Sequence, residues 1–149
     1  NSASAYITAR SSHSWTVVSG SSGSALACTP DNGSMWSTTS TLNSTSPEMV
    51  FRVKFATAGN YVLWVLYKAS STSQDSLHAG IDDAYRHTKD FAENGAWKWE
   101  TTGTLTSVTA GYHDLNLWAR EDGLTVDKVY LTTGSDTPSG SGPAESGRE

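Results

Sequence analysis

A single cysteine, Cys28, stands among 149 residues, so no disulfide can close within the chain and no Cys-rich metal cluster can form. Cys28 reads either as a small buried residue or as an unpaired surface thiol. Basic residues are scarce as well: 10 Lys and Arg against 15 Asp and Glu leave a net charge of -5. Nucleic-acid binding rests on a basic surface and on the counterions it releases, so DNA and RNA are set aside as partners. No apolar run approaches the ~20 residues of a membrane-spanning helix, which sets the membrane aside too. No charged-then-apolar leader is present, and the chain reads as a soluble mature piece or an excised module. Charged residues make up only 17% while Ser, Thr, Gly and aromatics abound, a balance that suits a secreted, extracellular β-protein. There is no Gly-x-Ser-x-Gly elbow, no His-Glu-x-x-His and no phosphate-cradling Gly loop with Lys.

What is present is strand periodicity. Met49, Phe51, Val53 and Phe55 alternate with Val50, Arg52 and Lys54, the pattern of a half-buried strand. Tyr61 to Ala69 is apolar on both faces and reads as a central strand. Asp75 to Asp82 sets Leu77, Ala79 and Ile81 inward. Leu115, Leu117 and Ala119 oppose Asp114, Asn116, Trp118 and Arg120, and Val129 and Leu131 oppose Lys128 and Tyr130. Glu121-Asp122-Gly123 lies between these last two runs and predicts a closing hairpin, because Gly accepts a positive φ. Shorter candidates occur at 6–8, 15–18 and 25–29, and a strand opens at Trp97-Lys98-Trp99. Residues 83–96 read as the longest loop of the latter half, of a length that is often functional. The sum is about eight or nine short strands without a convincing helix, hence an all-β, antiparallel β-sandwich of jelly-roll type. One domain spans 1–133, long enough to bury roughly two thirds of its unfolded surface. From Gly134 to Glu149 the composition turns to Gly, Ser, Pro and Glu without period, which predicts a linker or disordered tail.

The succession Asp-Ser-Leu-His-Ala-Gly-Ile-Asp-Asp (75–83), Trp-Lys-Trp (97–99), Ala-Gly-Tyr-His-Asp-Leu-Asn-Leu (110–117), Arg-Glu-Asp-Gly (120–123) and Val-Asp-Lys-Val-Tyr-Leu-Thr (126–132) resembles the jelly-roll carbohydrate-binding modules of families 6 and 35, which accompany polysaccharide-degrading enzymes. The resemblance covers Pro47 to Thr133. It implies a sugar stacked on Trp97 at the loop end of the sandwich, with Trp36 as the opposing wall; Trp99, two residues on along the same strand face, reads as core. It implies a polar sugar contact near Glu121 and Asp122, where this chain departs from the commoner Asn. It also implies a structural Ca²⁺ bound by hard oxygen ligands. The first strand carries no carboxylate, which leaves Asp127 as either a metal ligand or a hairpin cap.

Six Trp and six Tyr supply flat rings for the CH-rich faces of sugars, although large aromatics more often belong to cores. Arg86, His87 and Lys98, with His78, Lys89 and Arg120, stand around the Trp97 junction. If they converge they suit a uronate or sulfate group; otherwise they are charges on a solvated loop. A second site is expected on the sheet face from Trp64, Asn116, Trp118 and Arg120, provided the strand registers hold. The expectation is therefore a non-catalytic module that binds neutral or anionic polysaccharide and is tethered to a catalytic domain. The alternatives are a structural or adhesion β-sandwich of a secreted protein and a small glycosidase or lyase working with two carboxylates.

Overall fold

The computed structural model describes residues 5–146. Ten strands follow in chain order: β1 (Tyr6–Thr8), β2 (Ser14–Ser19), β3 (Ser24–Thr29), β4 (Glu48–Phe55), β5 (Gly59–Lys68), β6 (Ser76–Ile81), β7 (Ala84–Asp90), β8 (Lys98–Val108), β9 (Gly111–Ala119) and β10 (Thr125–Thr132), with one short helix α1 (Leu42–Thr45) between β3 and β4. They form two five-stranded sheets, β1-β4-β9-β6-β7 and β2-β3-β10-β5-β8. The sheets pack as a sandwich, and every named pairing is antiparallel. The inward sets meet as the period of two requires: Met49, Leu115, Leu117, Leu77 and Ala79 from the first sheet pack on Leu63, Val65, Tyr67, Leu105 and Val126 from the second. Cys28 is fully buried among them. Burial first, and then the neighbouring Asp122 carboxylate, push its thiol up to about 12, so it is an inert core residue.

Two local expectations are corrected. The Glu121-Asp122-Gly123 turn does not close a hairpin: β9 pairs with β4 and β6, whereas β10 pairs with β3 and β5. The connection crosses from one sheet to the other because it is hydrogen-bonded elsewhere. The Gly123 N–H donates to the Cys28 carbonyl at 2.8 Å, and the Asp122 N–H to Ser34 at 3.2 Å. The tight hairpin lies instead at Asp82-Asp83, both at positive φ (51° and 61°), the geometry of a type I′ turn. It leads into β7, which occupies half of the segment 83–96 expected as a loop. β7 is an edge strand, exposed at most of its positions, so it carries no apolar alternation to betray it.

The outer face of the first sheet is covered near the end where β9 finishes. Residues 36–46 cross it, held by His78 Nε2 donating to the Trp36 carbonyl (2.7 Å), Asn43 Nδ2 to the Asp83 carbonyl (2.9 Å) and Ser46 Oγ to the Ala119 carbonyl (2.6 Å). Trp118, Asn116, His78 and Glu48 all point to this face and are all buried. Burial pushes the His78 imidazole below the ordinary histidine range.

Candidate functional site

The more exposed tyrosines, Tyr6, Tyr85 and Tyr112, lie on the first sheet, whereas the outer face of the second sheet carries a group of partly accessible aromatic rings. On β5 the core-facing Leu63, Val65 and Tyr67 alternate with Val62, Trp64, Leu66 and Lys68. Register places Tyr130 and Thr101 on either side of Trp64, and Lys128 and Trp99 on either side of Leu66. Trp64, Tyr130 and Trp99 are half-buried, so three adjacent strands each carry a partly exposed ring on this face, with Trp99 one pair along from Trp64 and Tyr130. Trp97 extends this face at the mouth of β8; the Lys68 ammonium stands 5.9 Å from its ring centre. That distance is within cation–π reach.

A groove of about 490 Å³ opens beside these rings, lined by Leu66, Trp97, Lys98, Trp99, Ser21 and the segment 138–141. Its size is that of a small-ligand site. One wall is aromatic and the other consists of hydroxyls and backbone. Among the described residues, the segment 135–146 contains no helix or strand, yet part of it lies on the sheet. Trp99 Nε1 donates to the Gly140 carbonyl (3.1 Å), and Lys128 Nζ donates to the Ser141 carbonyl and to Ser22 Oγ, each at 2.9 Å. Lys98 lines the groove's edge, but with parity opposite to Trp97 and Trp99 its ammonium is paired with Glu100 at 2.8 Å, and Lys89 meets the same carboxylate at 2.9 Å. Burial works against ionisation of Glu100, but the two ammonium groups and the Tyr67 hydroxyl hold it down at about 2. The cation at position 98 is therefore fixed by a permanent anion.

Of the residues singled out in the sequence, Trp97 and Lys98 come together here. Trp99 joins them rather than the core, which corrects its assignment; it shares the outward parity of Trp64 through the pairing of β8 with β5. Trp36 is not the opposing wall. It is buried, edge-on to the His13 ring at 4.9 Å. Arg86 is exposed on β7 in the other sheet, and His87 Nε2 donates to the Thr104 carbonyl at 2.8 Å. Glu121 is buried and accepts from Ser76 Oγ at 2.6 Å. Asp122, wholly buried, accepts from the consecutive N–H groups of Asn32, Gly33 and Ser34 at 2.8, 3.2 and 3.0 Å. Both acidic side chains hold loops together.

The second expected cluster is divided between the sheets. Trp64 lies on the accessible face of the second sheet, whereas Trp118 and Asn116 are enclosed under residues 36–46 of the first. Asn116 Nδ2 donates to Glu48 at 2.8 Å and to Asp83 at 3.1 Å. Arg120 is bonded to Asp90 at 2.7 Å and to Ser76 at 3.0 Å. Asp127 accepts from the Ser21 N–H at 2.7 Å and from the Ser21 hydroxyl, tying down the β2–β3 turn. Among the described residues, no group of three or more His, Cys, Asp or Glu is placed to hold a metal ion. The outward parity of Tyr130 and Lys128 was legible in the sequence. The docking of 138–141 had no periodic signal that could have revealed it.

Solved carbohydrate-binding modules share this architecture. The carbohydrate binding module CBM6cm-2 from Cellvibrio mixtus lichenase 5A, solved in complex with cellotriose, superposes with a TM-score of 0.59 at 14% identity, covering 85% of this chain and 91% of that one. CBM35 from Cellvibrio japonicus Abf62 gives 0.53 at 16% identity, covering 76% of each chain. The Podospora anserina GH26-CBM35 β-(1,4)-mannanase gives 0.53 at 17%, over 62% of this chain and 20% of that enzyme. At these identities the likeness establishes the fold. In sequence, 117 residues are 26% identical to the uncharacterized protein P23 of Formosa agariphila, and the chain spans 27% of that protein's length. The model of the glycosyl hydrolase family 115 C-terminal domain matches residues 2–145, nearly the whole sequence, and the chain belongs to that family.

Proposed function

We propose that this domain is a non-catalytic polysaccharide-binding module whose site is the groove beside Trp97 and Trp99, and that it holds an attached glycoside hydrolase close to extracellular substrate. The observation that carries this reading is the pairing of two half-buried indoles with a serine- and backbone-lined wall in one groove of about 490 Å³. Stacking on the rings and hydrogen bonding to the opposite wall are the two contacts a saccharide offers. The membership in a family named as the C-terminal domain of a glycosyl hydrolase supports the tether. Such a tether acts by raising effective concentration, without new contacts to the catalytic site.

Catalysis by this domain has less support. Among the acids that lie close together, Asp75 and Glu121 are buried and in hydrogen-bond contact, and Glu48 and Asp83 both accept from Asn116 Nδ2, with Glu48 buried. Glycoside hydrolysis needs carboxyl groups ~5 Å or more apart across an open cleft. A purely structural sandwich is favoured by one observation, the burial of Trp15, Trp36 and Trp118, but it leaves the partly exposed rings of Trp64, Trp97, Trp99 and Tyr130 without a role.

Affinity electrophoresis through hydroxyethyl cellulose, galactomannan, arabinoxylan, polygalacturonate and carrageenan tests the reading and separates neutral from uronic and sulfated ligands. Retardation by at least one polymer is expected. Free passage through all five, by a protein that melts cooperatively, would favour the structural sandwich.

A further inference from the structure

We infer that residues 138–142, a Gly/Ser/Pro segment outside the sandwich strands, form a wall of the saccharide site and set which polymer it accepts. This rests on the reading of the groove as a saccharide site. Two opposite tethers hold the segment in place: the Trp99 indole N–H donates to the Gly140 carbonyl from β8, and the Lys128 ammonium donates to the Ser141 carbonyl from β10. Pro138 is buried at its start. The tethers come from strands on either side of β5, so the segment bridges the sheet face and keeps Leu66, which points outward, only 2% exposed.

Close approach to the ring requires glycine at 142. Its φ is +79°, and a Cβ there would lie 2.7 Å from Trp99 Cζ2. A larger residue must lift the segment off the indole, and its backbone would also be strained. The segment bounds the groove rather than filling it, since about 490 Å³ stays open between it and Trp97. The Gly140 and Ser141 carbonyls are taken up by the tethers, and Ser139 and Ser141 line the volume that a stacked sugar would occupy. Polar groups at such positions decide selectivity, because a ligand that fails to pair them leaves them desolvated and unmatched. The aromatic wall holds any sugar with an apolar face, whereas the 138–142 wall discriminates among them.

The test compares the parent with Gly142→Ala and Lys128→Met, using the same five polymers, melting curves and the ¹H–¹⁵N resonance of the Trp99 indole. Lifting the segment should move that resonance, leave the melting temperature nearly unchanged and weaken retardation by the favoured polymer about ten-fold, with the preference among polymers flattened. A shifted indole resonance with parental affinity and preference would overturn the inference and leave the groove itself standing. An unmoved resonance in both variants would show that the segment is not held as described, and would overturn it too. If no polymer retards the parent, the groove reading falls and takes this inference with it.

Discussion

The Glu121 carboxylate accepts the backbone N–H of Asp75 at 3.3 Å and lies against the Asp75 carboxyl, with both side chains buried. Burial, reinforced by a hydrogen bond to Glu121 and the repulsion of its charge, pushes the Asp75 carboxyl up to about 6. A carboxyl raised in the folded state binds its proton more tightly there than in the unfolded chain. Its contribution to stability is complete below the unfolded value of ~3.9 and is lost as pH rises through about 6. His78 titrates in an overlapping range with the opposite sign, because burial favours its neutral form. The informative quantity is therefore the difference between the parent and Asp75→Asn. Chemical denaturation at pH 4 and pH 7 should give a difference that changes by on the order of 2 kcal/mol, with the parent relatively more stable at the lower pH. A pH-independent difference would show that the two carboxyls do not share a proton.

Asp122 and His13 are 109 positions apart and meet at 3.3 Å, both buried. The same carboxylate gathers the N–H groups of residues 32–34, so one side chain pins the sheet-crossing connection to the loop after β3. Burial opposes its charge, but those N–H donors and His13 hold its carboxyl below the usual range. Its stabilisation is present above ~3.9 and disappears as pH falls through its lower folded value. Asp122→Ala should cost about 3–5 kcal/mol, since it orphans several buried donors at once. A loss below ~1 kcal/mol in urea unfolding would mean that the loop is held by other contacts.

Gly80 and Trp118 are in van der Waals competition. A Cβ at position 80 would fall 2.3 Å from the Ala84 carbonyl oxygen and 2.8 Å from Trp118 Cζ3, and neither the backbone nor a fully buried indole can yield cheaply. Gly80→Ala should therefore destabilise by about 1–3 kcal/mol through overpacking, and Trp118→Ala by about 3–5 kcal/mol through the cavity it leaves. Neither should change polymer preference in the fraction that stays folded. A selective loss of binding in Trp118→Ala at unchanged stability would place a ligand on the first sheet after all.

The alternations at 49–55, 77–81 and 115–119 carried the sandwich because their core-facing apolar residues recur with a period of two, and 61–69 because an apolar run on both faces marks a central strand. β7 escaped because both its faces meet water at the sheet edge. The 121–123 turn was misassigned as a hairpin because Asp-Gly chemistry reports a positive φ, not which strand receives the chain next. Trp118 had the outward parity read from the sequence. Its burial depends on residues 36–46, fixed by contacts such as Asn43 to Asp83 across 40 positions, and no local pattern encodes such a cover. At the candidate site, Trp97 and Lys98 were legible from their position at a loop-to-strand junction. Trp99 and the docked segment 138–142 were not, because their roles come from the neighbours β5 and β10.

The central claim is that Trp97 holds saccharide, and its most direct test is affinity electrophoresis of Trp97→Ala beside Trp36→Ala and the parent. Trp97→Ala should abolish retardation by the polymer that slows the parent, a loss of at least about ten-fold, with its melting temperature little changed because the ring is partly exposed. Trp36→Ala should melt earlier, as loss of a buried ring requires, while its folded fraction keeps the parental mobility shift. Retardation that survives Trp97→Ala intact would contradict the account.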